Sequence, residues 1–256
     1  MSTPVNLPGH YRLIELDTVD STNEEAKRLA AAGAADGTVV WAKAQTGGYG
    51  RRQRTWVSEP GNLYLSLLLR PDCTVATATQ VGFIACNTVA EAAAAALPRG
   101  TFVTCKWPND VLVEGRKVSG ILLESSSRDG HRMDWLVVGI GVNLAHHPAE
   151  TEFPATDLAR EGAEGLTPAR LLESLCARFS ANMVLWRNMG FAAIRRNWMR
   201  RAHGLGQPLT VRLDRHTFDG VFEDLDGDGA LMLRMGADLR KFTAGDVFFP
   251  HLAPGH

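Results

Sequence analysis

The stretch "KWPNDVLVEGRKVSGILLE", Lys106 to Glu124, decides how this chain folds. Its first residues end an apolar run, "TFVTCKW", that reads as a strand. Pro108 and the Asn109–Asp110 pair then make a tight, polar turn. "NDVLVEGRKVSGILLES" follows as a hairpin, with "EGRK" at its turn. Hairpins exclude a purely parallel, doubly wound sheet. The expected class is therefore α+β, a mixed sheet carrying helices on one face.

Toward the N-terminus, "YRLIELDTV" alternates as a first strand, Tyr11 to Leu16. "DSTNEEAKRLAAAG" reads as a helix, opened by a capping box of Ser21 and Glu24 and closed at Gly33. "GTVVWAKAQ" is a β-branched strand that runs into a glycine-rich loop, and "NLYLSLLLR" is the strand after it. The alanine-rich segment from Thr79 to Leu97 is a helix ended by Pro98. Toward the C-terminus, "DWLVVGIGVNL" is a buried strand with two glycines. Thr167 and Pro168 open a helix that runs to about Asn188, and a second covers Phe191 to Ala202. From Gln207 on, only short strands and turn signals remain, as in a small β-barrel. The expected domains are residues 1–204 and 205–256.

The 256 residues suffice for one large domain and a small appendage. An apolar share of 45% supports a core and argues against a disordered chain. A net charge of -1 gives no general footprint for nucleic acid or an anionic membrane. The cysteines, at 73, 86, 105 and 176, form no CxxC pair and match no common zinc spacing. Cys86 and Cys105 lie in apolar segments and read as buried thiols. No apolar h-region opens the sequence, and no apolar run reaches the length of a membrane span. These features point to a cytoplasmic protein.

Four stretches carry candidate chemistry. "QTGGYGRRQRTW", Gln45 to Trp56, lacks the G-K-[ST] of a phosphate-binding P-loop and the spacing of GxGxxG. Its glycines let consecutive N–H groups cradle an oxyanion, and Arg51 and Arg52 offer charged forks to phosphate or carboxylate. The plainer reading is an exposed basic turn. Lys117 follows Lys106 by eleven residues, and the hairpin can return it toward this loop. A lysine beside phosphates stabilises the charge that builds up during transfer. Taken singly, Lys106 and Lys117 also read as exposed lysines and Trp107 as core. "DSTNEEA" is either a plain cap or a set of ligand donors, Ser21, Thr22 and Asn23, at a helix start. In "VVGIGVN", Gly139 and Gly141 mark a close approach to the backbone, and Asn143 offers a donor and an acceptor.

In order and spacing these stretches resemble the biotin protein ligases, and the resemblance covers nearly the whole chain. It is carried by Ser21-Thr22-Asn23, by Gln45 with "GGYGRRQRTW", by "GNLYLSLLL", by "KWPNDVLVEGRKVSGILLE" and by "VVGIGVNL". "KWPND" followed by "RKVSGIL" is its most specific part. The resemblance implies a class II synthetase-like catalytic domain and an SH3-like C-terminal barrel. It also implies two steps. The biotin carboxylate attacks the α-phosphate of ATP, giving biotinyl-5'-AMP and pyrophosphate. A lysine of a biotin carboxyl carrier domain then attacks the mixed anhydride, and AMP leaves.

Carboxylate and phosphate repel each other, so cations must join them, and Arg51 and Lys117 are expected to do so. Asp110 is expected to help place Mg²⁺. By the same resemblance, biotin meets Ser21, Thr22, Asn23, Gln45, Gly48, Tyr49 and Gly50, with Arg51, Lys117, Gly120, Gly139 and Gly141. The nucleotide meets Arg51, Arg52, Arg54, Trp56, Lys106, Trp107, Asn109 and Asn143. A polar pocket for the ureido group favours biotin over an apolar acyl chain.

The sequence departs from the family pattern in the loop, which commonly reads G-R-G-R-R-G-R. Tyr49 stands where an arginine is usual and Gln53 where a glycine is usual. The loop is expected to order over the intermediate with altered retention of the adenylate. Few residues precede Ser21, so no DNA partner is expected, while weak self-association through the large sheet stays open. Two rivals are a lipoate or octanoate ligase or transferase and a non-catalytic biotin sensor; Arg51 together with Lys117 favours an enzyme. "DLDGDGALMLRM" starts like a calcium loop, but Met235 stands where a bidentate glutamate is needed, so a β-turn is expected. His146 and His147 read as loop residues.

Overall fold

The computed structural model describes residues 5–128 and 130–249. Seven strands form the large sheet: β1 (Arg12–Val19), β2 (Thr38–Gln45), β3 (Leu63–Leu69), β4 (Val103–Lys106), β5 (Asp110–Val113), β6 (Arg116–Ser127) and β7 (Met133–Val142). Their spatial order is β1-β2-β3-β7-β6-β5-β4. β1 and β2 are parallel, joined through helix α1 (Thr22–Ala31), and the other neighbours are antiparallel. The sheet is thus mixed. The hairpin β5–β6 turns on Glu114 and Gly115, with φ of 49° and 74°, the left-handed pair that a tight hairpin needs. Arg116 and Lys117, expected in the turn, already belong to β6.

Strand alternation sorts the side chains into two faces. Val39, Leu67 and Val138 join one large core with helices α3 (Val81–Ala96), α4 (Pro168–Met189) and α5 (Phe191–Met199). Val40, Leu68 and Val137 pack instead against Ala26 and Ala30 of α1. The expectation of helices on one face therefore holds for α3 to α5, and α1 departs from it. A parallel crossover supplied the second layer. On the α1 side the same strand rows continue past the helix start as Ser66, Gly139, Gly141 and Gly120. That uncovered, glycine-rich half of the face becomes the floor of a cavity.

The expected helix from Thr79 to Leu97 forms as α3. A short α2 (Val75–Ala78) precedes α3, and Leu97 is extended before Pro98, as the ring requires. Thr167 caps α4, its hydroxyl accepting from Arg170 N at 3.3 Å. Among the described residues no helix is long and apolar enough to cross a membrane.

After α5 the chain forms an antiparallel sheet of β8 (Pro208–Arg212), β9 (Thr217–Leu225), β10 (Leu231–Met235), β11 (Asp238–Phe242) and β12 (Asp246–Phe248), in the order β11-β10-β9-β8-β12. Trp198 of α5 stands edge-on to Phe83 and Phe222, at 5.6 and 6.5 Å between centroids, and so ties the second sheet into the large core. The calcium-like stretch is the expected turn. Asp226 accepts from the Asp228 and Ala230 amides, each at 2.9 Å. That turn also docks the sheet, because Trp107 Nε1 donates to Gly229 O at 3.1 Å.

Candidate active site

A cavity of about 430 Å³ lies over the glycine floor, under the Gln45–Trp56 loop and beside β12. It brings together the sequence-predicted residues except Gly48 and Arg52. Gly48 packs beneath the loop, where a Cβ would sit 2.5 Å from Ser58 Oγ and 2.7 Å from Trp56 O. Arg52 points to the second domain, 3.1 Å from Asp246 and 2.9 Å from Asp214.

One end of the cavity is polar and uncharged. Gln45 Oε1 accepts from the Thr22 amide at 2.8 Å and its hydroxyl at 3.2 Å, while Gln45 Nε2 donates to Ser58 Oγ at 2.8 Å. The Ser66 hydroxyl lies 2.9 Å from Thr22 Oγ1 and 2.5 Å from Asn23 Oδ1. Asn23 Nδ2 donates to Glu124 at 2.8 Å. The expected capping box does not form. Ser21 is the N-cap by backbone, yet its hydroxyl makes no cap bond. Gln45 caps the helix from β2 instead, and Glu24 turns to Lys27 and Tyr49. The Ser21 hydroxyl is thereby left to the cavity it lines. Gly139 is needed here, since a Cβ would fall 2.2 Å from Asn23 Oδ1. Gly141 does the same for the Trp56 indole, 2.7 Å away. These glycines, expected to admit the ligand itself, admit two cavity side chains. The Trp56 Nε1–H is buried with no protein acceptor.

The loop is held by its own ladder. Gly50 N donates to Arg54 O at 2.8 Å and Trp56 N to Gly48 O at 2.9 Å. Arg52 and Gln53 take left-handed backbone angles, φ 55° and 57°, which favour glycine. Arg51 reaches Asn109 Oδ1 and Gly245 O, both at 3.2 Å. Asp246 of β12, only 7% exposed, lies 3.6 Å from Arg51 and 2.6 Å from Arg54. The loop arginines therefore gather round one carboxylate of the other domain.

The opposite end is cationic. Lys117 Nζ is 2.6 Å and Lys106 Nζ 3.6 Å from the two oxygens of Asp110. Burial pushes Lys106 down to about 8, against the pull of Asp110. Its ammonium also sits 3.4 Å from the centroid of the Phe153 ring. Burial alone would raise Asp110, but Lys117 and Lys106 outweigh it and hold the carboxyl below its usual range. Asp110 thus stands as a counter-ion between two ammonium groups. Asn109 donates to Ile121 O at 2.6 Å, and Asn143 to Thr156 O at 3.1 Å. His147 meets Asp157 at 2.6 Å in the loop after β7.

Sequence reasoning missed Ser66, Glu124, Phe153 and Asp246. Ser66 had a signal: it is the one small polar residue among the leucines of "LYLSLLL". Glu124 closes the hairpin motif itself. Phe153 and Asp246 carry no local pattern that aims them at the site.

The model of the biotin/lipoate A/B protein ligase family matches residues 15–143, and that of the biotin protein ligase C-terminal domain matches residues 204–249. The chain is 38% identical to the biotin–[acetyl-CoA-carboxylase] ligase of Paracoccus denitrificans, over 91% of this chain and 99% of that protein. It is 31% identical to the ligase of the same name from Mycobacterium tuberculosis, over 91% and 88%. The biotin protein ligase of Aquifex aeolicus, solved in complex with biotin and ATP, superposes with a TM-score of 0.78 at 29% identity, over 92% of this chain and 97% of that one. These likenesses define a protein ligase with the mixed-sheet fold and a C-terminal antiparallel sheet. The chain belongs to the biotin protein ligase family.

Proposed function

We infer that biotin lies with its head group at Ser21, Thr22, Asn23 and Gln45, and that ATP lies along Arg51, Arg54, Lys106 and Lys117. The chain is an ATP-dependent biotin protein ligase acting on the carboxyl carrier domain of acetyl-CoA carboxylase. The observation that carries the assignment is the union of a neutral, hydrogen-bonding end and a cationic end in one cavity. A bicyclic urea needs fixed donors and acceptors, and a carboxylate meeting a triphosphate needs cations.

In the first step a carboxylate oxygen attacks the α-phosphorus. The bond to the bridging oxygen breaks, and pyrophosphate leaves. Lys117 and Arg51 supply positive charge where the two anions meet. In the second step the carrier amine attacks the acyl carbon. An amide forms, the amine proton is lost, and AMP departs with its oxygen. Mg²⁺ bound with ATP supplies charge neutralisation along the polyphosphate. Asp110 fits that metal poorly, since two lysines take its oxygens.

ATP–pyrophosphate exchange tests this reading, with biotin or lipoate added in turn. Biotin-dependent exchange is the expected result. Exchange with lipoate alone would move the site to the sister ligases, and tight biotin binding with no exchange would leave a sensor.

A further inference from the structure

One cluster beside the cavity is used by nothing above. The Tyr49 hydroxyl lies 2.6 Å from Glu24 Oε1 and 2.8 Å from Glu124 Oε2, and accepts from Lys27 Nζ at 3.2 Å. Lys27 also bridges the two carboxylates, at 2.6 and 2.9 Å. Glu124 Oε2 in turn accepts from Asn23 Nδ2 at 2.8 Å. Tyr49 belongs to the loop, Glu24 and Lys27 to α1, and Glu124 to β6. Burial and then the two carboxylates push the phenol well above its ordinary value, so it remains a donor at working pH.

The geometry points to Tyr49 as a latch. It docks the loop on α1 and β6 in the absence of substrate and, through Glu124, fixes the amide of Asn23. Tyr49 and Glu124 are then positioning residues for the head-group end, an inference that rests on the proposed placement of biotin. Asn23 has its oxygen on Ser66 and its nitrogen on Glu124, so which way its amide faces the cavity is set by those two partners. Loosening Tyr49 frees both the loop and Glu124. By linkage, a ligand that orders Asn23 also tightens the loop, and a closed loop holds the ligand longer. Two carboxylates against one lysine leave a net negative charge. A cation in place of Tyr49 would therefore keep the loop docked.

The experiment compares the parent chain with Tyr49→Phe, Tyr49→Arg, Glu124→Gln and the Tyr49→Phe/Glu124→Gln double variant. Amide hydrogen exchange over residues 47–55 is read without substrates, and biotin KM, ATP KM and biotinyl-AMP release are read with them. Tyr49→Phe is expected to speed loop exchange and to raise biotin KM and release about tenfold, the size of one hydrogen bond to a charged group. ATP KM and the rate at saturating biotin should stay within about twofold. Tyr49→Arg should restore both loop protection and biotin KM. In the double variant the two effects should fall short of their product, since they share one network. Parent-like loop exchange and biotin KM in Tyr49→Phe would overturn the latch, as would fully multiplicative effects. If the parent showed no biotin-dependent exchange, the functional reading would fail, and the substrate-free loop measurement would still decide the latch.

Discussion

The two ends of the cavity are built on opposite plans. The neutral end is made by the start of α1, the end of β2 and the middle of β3, all in one domain. Its groups are neutral, and Thr22, Asn23 and Ser66 are buried and bonded to one another. The cationic end is assembled from a strained loop, a hairpin and β12 of the second sheet, and its ammonium and guanidinium groups face carboxylates. The contrast suits the tasks proposed for the two ends. Recognising a uncharged bicycle needs a shape fixed in advance. Bringing two anions together needs cations whose protein partners can give way to phosphate.

The largest effect expected from this contrast is at Lys117. Lys117→Ala removes a cation and leaves buried Asp110 with Lys106 alone, 3.6 Å away. Pyrophosphate exchange at saturating substrates should fall by about 10²–10³, as for loss of one transition-state donor. Biotin binding measured calorimetrically without ATP should change little. A loss of biotin affinity as large as the loss of rate would erase the distinction between the ends.

The complementary change is Gly139→Ala. A Cβ 2.2 Å from Asn23 Oδ1 must push that amide off Ser66 and Glu124. Biotin KM should rise by about 10- to 100-fold, the range for one or two disrupted buried hydrogen bonds, with ATP KM within about twofold. Equal increases in both would mean that the glycine floor serves the ends alike.

Legibility in the sequence followed the same divide. Ser21, Thr22, Asn23 and Gln45 could be placed because they sit at element ends, where short motifs and strand boundaries are readable. The β5–β6 hairpin that returns Lys117 was equally plain from "EGRK" and its flanks. What could not be read depends on contacts far apart in sequence. Asp246 meets Arg51 and Arg54 across nearly two hundred residues, and no periodicity announces such a pair. The strands themselves were plain from their apolar runs, but the expectation of helices on one face missed that α1 covers the second face of β2, β3 and β7. The capping box did not form: Ser21 makes no cap bond, Glu24 turns to Lys27 and Tyr49, and Gln45 from a neighbouring strand takes the Thr22 amide. A local motif lost to a tertiary partner.

A smaller effect separates the ends by pH. Burial holds Lys106 at about 8, so its charge fades between pH 7 and 9. ATP KM should rise severalfold over that range while biotin KM stays level. Stability runs the other way. The folded value lies below the ordinary 10.5, so the unfolded chain binds more protons between about 8 and 10.5. Lys106 thus adds stability as pH rises through that window. The parent chain should gain melting temperature relative to Lys106→Met from pH 8 to 10 as its ATP binding weakens. Parallel losses of both would assign the activity change to unfolding.

The smallest effect tests whether strain in the loop matters to the cationic end. Gln53 holds φ 57°, a conformation that costs an ordinary residue about 1–2 kcal/mol. Its side chain is exposed and its neighbour Arg52, at φ 55°, is tied to Asp246 and Asp214. Gln53→Gly relieves the first strain without removing an ion pair. It also makes the unfolded loop freer, which takes back about 0.5–1 kcal/mol. The net is about 0.5–1 kcal/mol in favour of the closed loop, or on the order of two- to fivefold in its closing equilibrium. Biotinyl-AMP release should slow by that factor. Unchanged release would mean that the ladder from Gly48 to Trp56, with the contacts of Tyr49 and Arg51, already holds the loop closed, and that the glycine usual at this position answers to something other than adenylate retention.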